Sequence, residues 1–282
     1  VCPPLPEDRK PPQPLTFAVA QEDAPNLTGS PVSIGAWLDD EHFLQSKEGK
    51  LWKVHAATGR AERFFDPKPV IAALEQLPTI SQRQAAGFVN RTNFNWDKGR
   101  TGFVFSHQND LYYARFDGTL AARLTSTPEE EECVTISPDG AFVAFVRSND
   151  LWVVDVATQR ERALTTGGTD TLRRGKADWV YHEEIFNRSW TTHWWSPDSR
   201  RIAFLEIDSS PVDVYTLVND IPEGLRVEAE RYPKVGRPNP TFKVFACEVA
   251  GGTPAPVDIS GYNPQDLLAF NIVLGRAQQD LL

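Results

Sequence analysis

Thr135-Ile136-Ser137-Pro138-Asp139-Gly140-Ala141-Phe142-Val143-Ala144-Phe145-Val146 returns in altered form as Trp194-Trp195-Ser196-Pro197-Asp198-Ser199-Arg200-Arg201-Ile202-Ala203-Phe204-Leu205. Each copy reads as a strand, a tight Ser-Pro-Asp turn, and a second strand with apolar residues at alternate positions. A third strand follows in Asn149–Asp155, then a turn at Ala157–Gln159 and a fourth strand over Arg160–Leu164. Earlier copies are Lys50-Leu51-Trp52-Lys53-Val54 with Thr58-Gly59-Arg60, and Asp110-Leu111-Tyr112-Tyr113-Ala114 with Asp117-Gly118-Thr119. Four strands per unit, recurring at blade length, predict a β-propeller.

Leu111 and Leu151 lie 40 residues apart, the length of one plain blade. Leu51 to Leu111 is 60 residues and Ser137 to Ser196 is 59, so each of those intervals carries about 20 residues beyond a simple blade. Both insertions fall after a fourth strand and before the next first strand. The first, about Pro67–Phe88, has Val70, Ala73, Leu74 and Leu77 spaced for a short amphipathic helix. The second is Gly167–Thr192. In a propeller the fourth strand lies at the rim and the first lines the central channel, so a long link between them must cross one face, and its tip can lean over the channel mouth.

Beyond Phe204 the pattern predicts a strand over Asp213–Val218, a proline-fixed crossing at Arg231–Pro240, and a strand over Thr241–Val249 that ends at Gly251-Gly252. The expected fold is all-β: a partial propeller of about four four-stranded antiparallel blades, the last incomplete, with short helical insertions. The propeller should occupy residues 31–262. Residues 1–30 read as an extended, proline-rich lead-in, and residues 263–282 as an atypical or truncated tail.

Composition narrows the possible functions. Hydrophobic residues make up 40% and charged residues 24%, which is globular. A net charge of −9 argues against nucleic acid as a partner, because phosphate binding needs a basic face. The acidic run Glu129–Glu132 reads as a solvated loop. No stretch approaches the ~20 apolar residues of a membrane span. Cys2, Cys133 and Cys247 leave room for at most one disulfide, and the five histidines show no metal-binding spacing. No metal or other cofactor is called for. The absence of methionine and of a secretory signal pattern reads as a fragment or a processed form.

The chemistry-bearing stretch is Asp178-Trp179-Val180-Tyr181-His182-Glu183-Glu184-Ile185-Phe186, inside the second insertion. On a short helix Glu183 and Glu184 stand about 100° apart, near enough to converge on one cation. Two adjacent carboxylates resist joint ionisation unless a cation is present. A peptide α-ammonium, largely protonated at neutral pH, is such a cation. Taken alone, a Glu-Glu pair is more often a solvated helix face. Asp178, Trp179 and Tyr181 read as support for the segment, and His182 as incidental.

Asp178–Phe186, Trp194–Asp198 with Ile202-Ala203-Phe204, and Arg231–Pro240 together resemble the N-terminal propeller of the dipeptidyl peptidase IV family, in its bacterial branch. These are serine peptidases of the prolyl oligopeptidase superfamily, family S9, that clip dipeptides from free N-termini. The resemblance covers most of residues 35–260. It implies that Glu183 and Glu184 correspond to the family's N-terminus-binding glutamates, and that the propeller gates an active site. His182 stands where the family typically carries a third acidic residue. The family also uses a propeller arginine, but Phe105–Asp110 contains none and no residue is assigned. The implied partners are a peptide N-terminus and an α/β-hydrolase domain carrying Ser, Asp and His, and the implied compartment is periplasmic or secreted. No Gly-x-Ser-x-Gly elbow occurs in these 282 residues, so no catalytic residue is assigned and the chain alone is expected to be inert. The competing class is a non-catalytic propeller that binds a protein or peptide.

Overall fold

The computed structural model describes residues 34–219, 224, 226–263, 269 and 272–274. The lead-in and most of the tail, with Cys2, lie outside the described residues. Backbone contacts divide the chain into two units, residues 1–46 with 52–62 and residues 47–51 with 63–282. Strands β1 (Ile34–Trp37), β2 (His42–Lys47), β3 (Lys50–His55) and β4 (Ala61–Arg63) make the first four-stranded sheet in chain order. In the smaller unit β1 pairs antiparallel with β2, Ile34 opposite Gln45 and Trp37 opposite Phe43.

The larger unit holds three further blades. The second sheet is β5 (Asn95–Trp96), β6 (Gly102–His107), β7 (Asp110–Arg115) and β8 (Ala121–Arg123). The third is β9 (Glu132–Ile136), β10 (Phe142–Arg147), β11 (Asp150–Asp155) and β12 (Glu161–Ala163). The fourth runs β14 (His193–Trp195), β15 (Arg201–Asp208), β18 (Thr241–Glu248), β19 (Ala255–Pro256), so the blade expected to be incomplete has all four strands. β13 (Leu172–Arg174) joins the same edge of β15 beyond the end of β14. The chain is an all-β partial propeller, as its repeat predicts.

The sheets stack through side chains that alternate along each strand. Val143 and Phe145 face the second blade's Val104, Leu111 and Tyr113. Ala144 and Val146, one residue out of phase, face Ile202 and Phe204 of the fourth. β10 is therefore buried on both faces, which its unbroken run Phe142-Val143-Ala144-Phe145-Val146 satisfies. The repeat extends to its hydrogen bonds. The Leu51, Leu111 and Leu151 carbonyls each accept from the residue just past the next strand, from the N–H of Phe64, Leu124 and Leu164. The N–H groups of Leu111 and Leu151 donate to Thr125 and Thr165 Oγ1, both at 2.8 Å.

The Ser-Pro-Asp turns are built alike. Ser137 Oγ donates to Asp139 Oδ1 at 2.6 Å and accepts from Phe142 N–H at 2.9 Å. Ser196 does the same with Asp198 and Arg201 at 2.6 and 2.9 Å. Gly140 takes φ +73° in the first turn, where an added Cβ would come within 3.3 Å of Asp97. Ser199 takes φ +61° at the same place in the second, and its Oγ accepts from Asp139 N–H at 3.1 Å. A left-handed backbone is costly for a residue other than glycine, and here it aims a hydroxyl at the neighbouring blade's turn.

The first insertion holds two helices where the periodicity predicts one. α1 (Pro67–Leu74) is capped by Asp66, and α2 (Gln82–Val89) by a Ser81–Gln84 capping box. Val70, Leu74, Ala85 and Val89 pack on Phe103, Phe105, Tyr112 and Phe116 of the second blade. The acidic run is not the solvated loop its charge predicts. Glu129 and Glu130 are exposed, but Glu131 is buried, and its carboxylate accepts from Arg147 Nε and Nη2 at 3.2 and 2.6 Å. Thr125 and Thr127 hydroxyls complete its shell. Cys133 and Cys247 are free thiols, each pushed up to about 12, chiefly by burial.

His193 carries a pH dependence. Trp195 Nε1 donates to Thr135 Oγ1 at 3.0 Å, and His193 bridges that hydroxyl at 2.8 Å to the Gly175 carbonyl at 3.1 Å. Burial depresses the imidazole to about 4, so the folded chain resists the proton that the unfolded chain takes up near 6.5. Stability is therefore lost as pH falls from 6.5 toward 4, by about 3 kcal/mol at the acid end. Urea midpoints between pH 7 and pH 4 should show a loss that His193→Gln flattens by about one proton. An identical slope in that variant contradicts the neutral buried imidazole.

Candidate functional site: the glutamate loop

The second insertion leaves and re-enters the fourth blade at one pinched stem. Gly175 N–H donates to the Leu205 carbonyl at 3.0 Å, Thr192 N–H to the Gly175 carbonyl at 3.1 Å, and Ala177 N–H to the Trp190 carbonyl at 2.7 Å. Glycine is required at the pinch. Its φ is +76°, and a Cβ would meet Leu151 Cδ1 at 3.1 Å and His193 Nδ1 at 3.3 Å. Beside it, Lys176 Nζ reaches both carboxylate oxygens of Glu132 at 2.6 Å.

Above the stem the loop makes a single π-helical turn, Tyr181–Ile185, rather than an α-helix. Phe186 N–H donates to the Tyr181 carbonyl at 2.8 Å, the five-residue bond of that geometry. Asp178 starts the turn from a buried position, only 2% exposed, with Oδ1 accepting from Tyr181 N–H at 3.1 Å. Burial raises its carboxyl above the usual range, against the pull of its backbone donors and of Arg173. Tyr181, also buried, packs with Ile185 and Phe186 onto Leu205, Ile207, Phe242 and Val244 of the fourth blade. The turn's apolar side chains are thus committed to the core, while Glu183 is half-buried and Glu184 exposed.

Glu183 Oε1 accepts from Arg188 Nη2 at 3.0 Å, and His182 Nδ1 lies 3.9 Å from its other oxygen. The Arg188 side chain is 76% exposed, so the pair is screened by solvent and weak. His182 stacks on Trp190 with ring centroids 3.8 Å apart, which fixes its place in the loop. Trp179 is half-buried and lies against Tyr232, centroids 4.6 Å apart. Arg188 escapes the sequence reading because it lies five residues beyond Glu183, outside the three- and four-residue spacings by which a helical ion pair is sought.

A family model described as the dipeptidyl peptidase IV (DPP IV) N-terminal region matches residues 121–272, which include the third blade, the loop and the fourth blade. The chain belongs to this family. Among DPP IV relatives, the dipeptidyl peptidase 4 of Felis catus is 26% identical over 218 residues, covering 74% of this chain and 27% of the cat protein. A probable dipeptidyl peptidase 4 of Neosartorya fischeri is 34% identical over 152 residues, 52% of this chain and 20% of that protein. The chain thus spans about a quarter or less of these relatives. The crystal structure of Porphyromonas gingivalis dipeptidyl peptidase 4 superposes with a TM-score of 0.63 at 22% identity, over 83% of this chain and 33% of that one, and shares its fold.

Proposed function

We propose that this DPP IV N-terminal region is the propeller portion of a serine exopeptidase, and that Glu183 and Glu184 hold the free N-terminus of a peptide substrate while the propeller gates the active site. The reading rests on one observation: adjacent carboxylates stand on a turn whose apolar residues are spent on the core, with Glu184 exposed and Glu183 half-buried. An α-ammonium offers three donors, and each charge-assisted bond to a carboxylate contributes ~1.5–3 kcal/mol. The screened Arg188 guanidinium can yield its place on Glu183 to that ammonium, or share it. The peptide bond itself would be cut by an α/β-hydrolase domain, since no nucleophile elbow occurs in these residues.

The test compares Ala-Ala-p-nitroanilide with its N-acetyl form on the intact gene product. Acetylation removes the charge that the two carboxylates recognise, and turnover is expected to fall by at least about 100-fold. Equal rates, or no turnover of either compound, would sink the reading and leave a propeller with another partner.

A further inference from the structure

The fourth blade carries a hairpin between its second and third strands, β16 (Val214–Asn219) paired with β17 (Arg226–Arg231). Its base is braced at three points. Arg231 Nη1 donates to the Val212 and Ser210 carbonyls at 2.6 and 3.2 Å. Tyr232 N–H donates to the Asp213 carbonyl at 3.0 Å, and Arg237 holds the Asp213 carboxylate through two bonds of 2.6 and 3.1 Å. From this braced base the Tyr232 ring meets Trp179, with centroids 4.6 Å apart and planes at 59°. Tyr215 stands 6.3 Å from Tyr232, and Lys234 Nζ lies 4.6 Å over the Tyr215 ring. Trp179, Tyr215, Tyr232 and Lys234 line a cavity of about 430 Å³ between the hairpin and the loop.

We propose that Tyr232 is a positioning residue: by holding Trp179 it sets the roll of the Asp178–Ile185 turn, and so the aim of Glu183 and Glu184. This rests on the ammonium-binding reading above. Trp179 lies between Asp178 and Val180, both buried, and Val180 directly precedes the turn, so the indole stands two residues from Tyr181. Glu184 is exposed, and the half-buried Glu183 meets the solvent-exposed Arg188. Their orientation follows from how the turn is gripped, by Tyr181 and Phe186 against the blade, by His182 against Trp190, and by Trp179 against Tyr232. An aromatic pair of this kind is strong enough to shift a binding constant about three- to tenfold.

The experiment uses the intact gene product with Tyr232→Ala, Tyr232→Phe and, as a control on the exposed hairpin, Val227→Ser. Hydrogen exchange of the amides of residues 179–188 should quicken in Tyr232→Ala and return to normal in Tyr232→Phe and Val227→Ser. KM for Ala-Ala-p-nitroanilide should rise three- to tenfold in Tyr232→Ala alone, with kcat little changed. Unchanged exchange in Tyr232→Ala overturns the inference. Quickened exchange with unchanged KM overturns it also: if Glu183→Gln likewise leaves KM unchanged the ammonium reading has failed, and if Glu183→Gln raises it the fault lies with Tyr232. Should Tyr232→Ala not fold, Trp179→Leu breaks the same pair from the other side and is judged by the same measurements.

Discussion

Replacing Glu183 and Glu184 together by glutamine is expected to lower kcat/KM for Ala-Ala-p-nitroanilide by at least about 100-fold in the intact gene product, with little change in melting temperature. Each carboxylate would supply a charge-assisted bond of ~1.5–3 kcal/mol to the ammonium, and glutamine keeps the shape while losing the charge. Little stability is at stake, because Glu184 is exposed and, among the described residues, Glu183 meets a solvent-screened arginine and a histidine at 3.9 Å. The two single variants should each lose part of the activity, and their effects need not add, since both acids would serve one cation. A double variant that cleaves at the parent rate would remove both residues from the substrate site.

The second large effect concerns stability. Arg147→Ala is expected to destabilise the chain by about 3–5 kcal/mol, the usual cost of stranding a buried charge. Arg147 Nη2 and Nε bind Glu131, and its Nη1 reaches Glu161 at 2.7 Å. Glu131 itself has no exposed side-chain surface. Burial raises the Glu131 carboxyl above its usual range despite the guanidinium and two hydroxyl donors, while the bonds to Glu131 and Glu161 hold the Arg147 guanidinium above its own against the pull of burial. Arg147→Met combined with Glu131→Leu should accordingly recover most of the loss, because no charge is then buried alone. Chemical denaturation of the single and double variants measures both. A single variant as stable as the parent would show that the pair does not anchor the third blade.

Much of this architecture is legible in the sequence because its repeating parts are local. The Ser-Pro-Asp turns bond within five residues, and Leu111 with Thr125 recurs as Leu151 with Thr165 at the same 40-residue interval. α2 was equally open to reading: Ser81 and Gln84 form a capping box that apolar spacing alone passes over. Glu131 was hidden by its neighbours. A run of four acids looks solvated, and the partner that buries one of them, Arg147, comes 16 residues later from an adjacent strand. The π-turn is likewise beyond composition, since its five-residue bond forms where packing of Tyr181, Ile185 and Phe186 on the fourth blade dictates the path. Trp179 was recognisable as support, but Tyr232 lies 53 residues away and only the fold brings them together.

The pinched stem at Gly175 and Thr192 has an evolutionary corollary. Because the strand edge is sealed by bonds between the two ends of the excursion, what lies between them can lengthen, shorten or change its chemistry while the sheet below keeps its pairing. The chemistry carried by the loop is therefore free to change in one short cassette without re-pairing the scaffold that presents it.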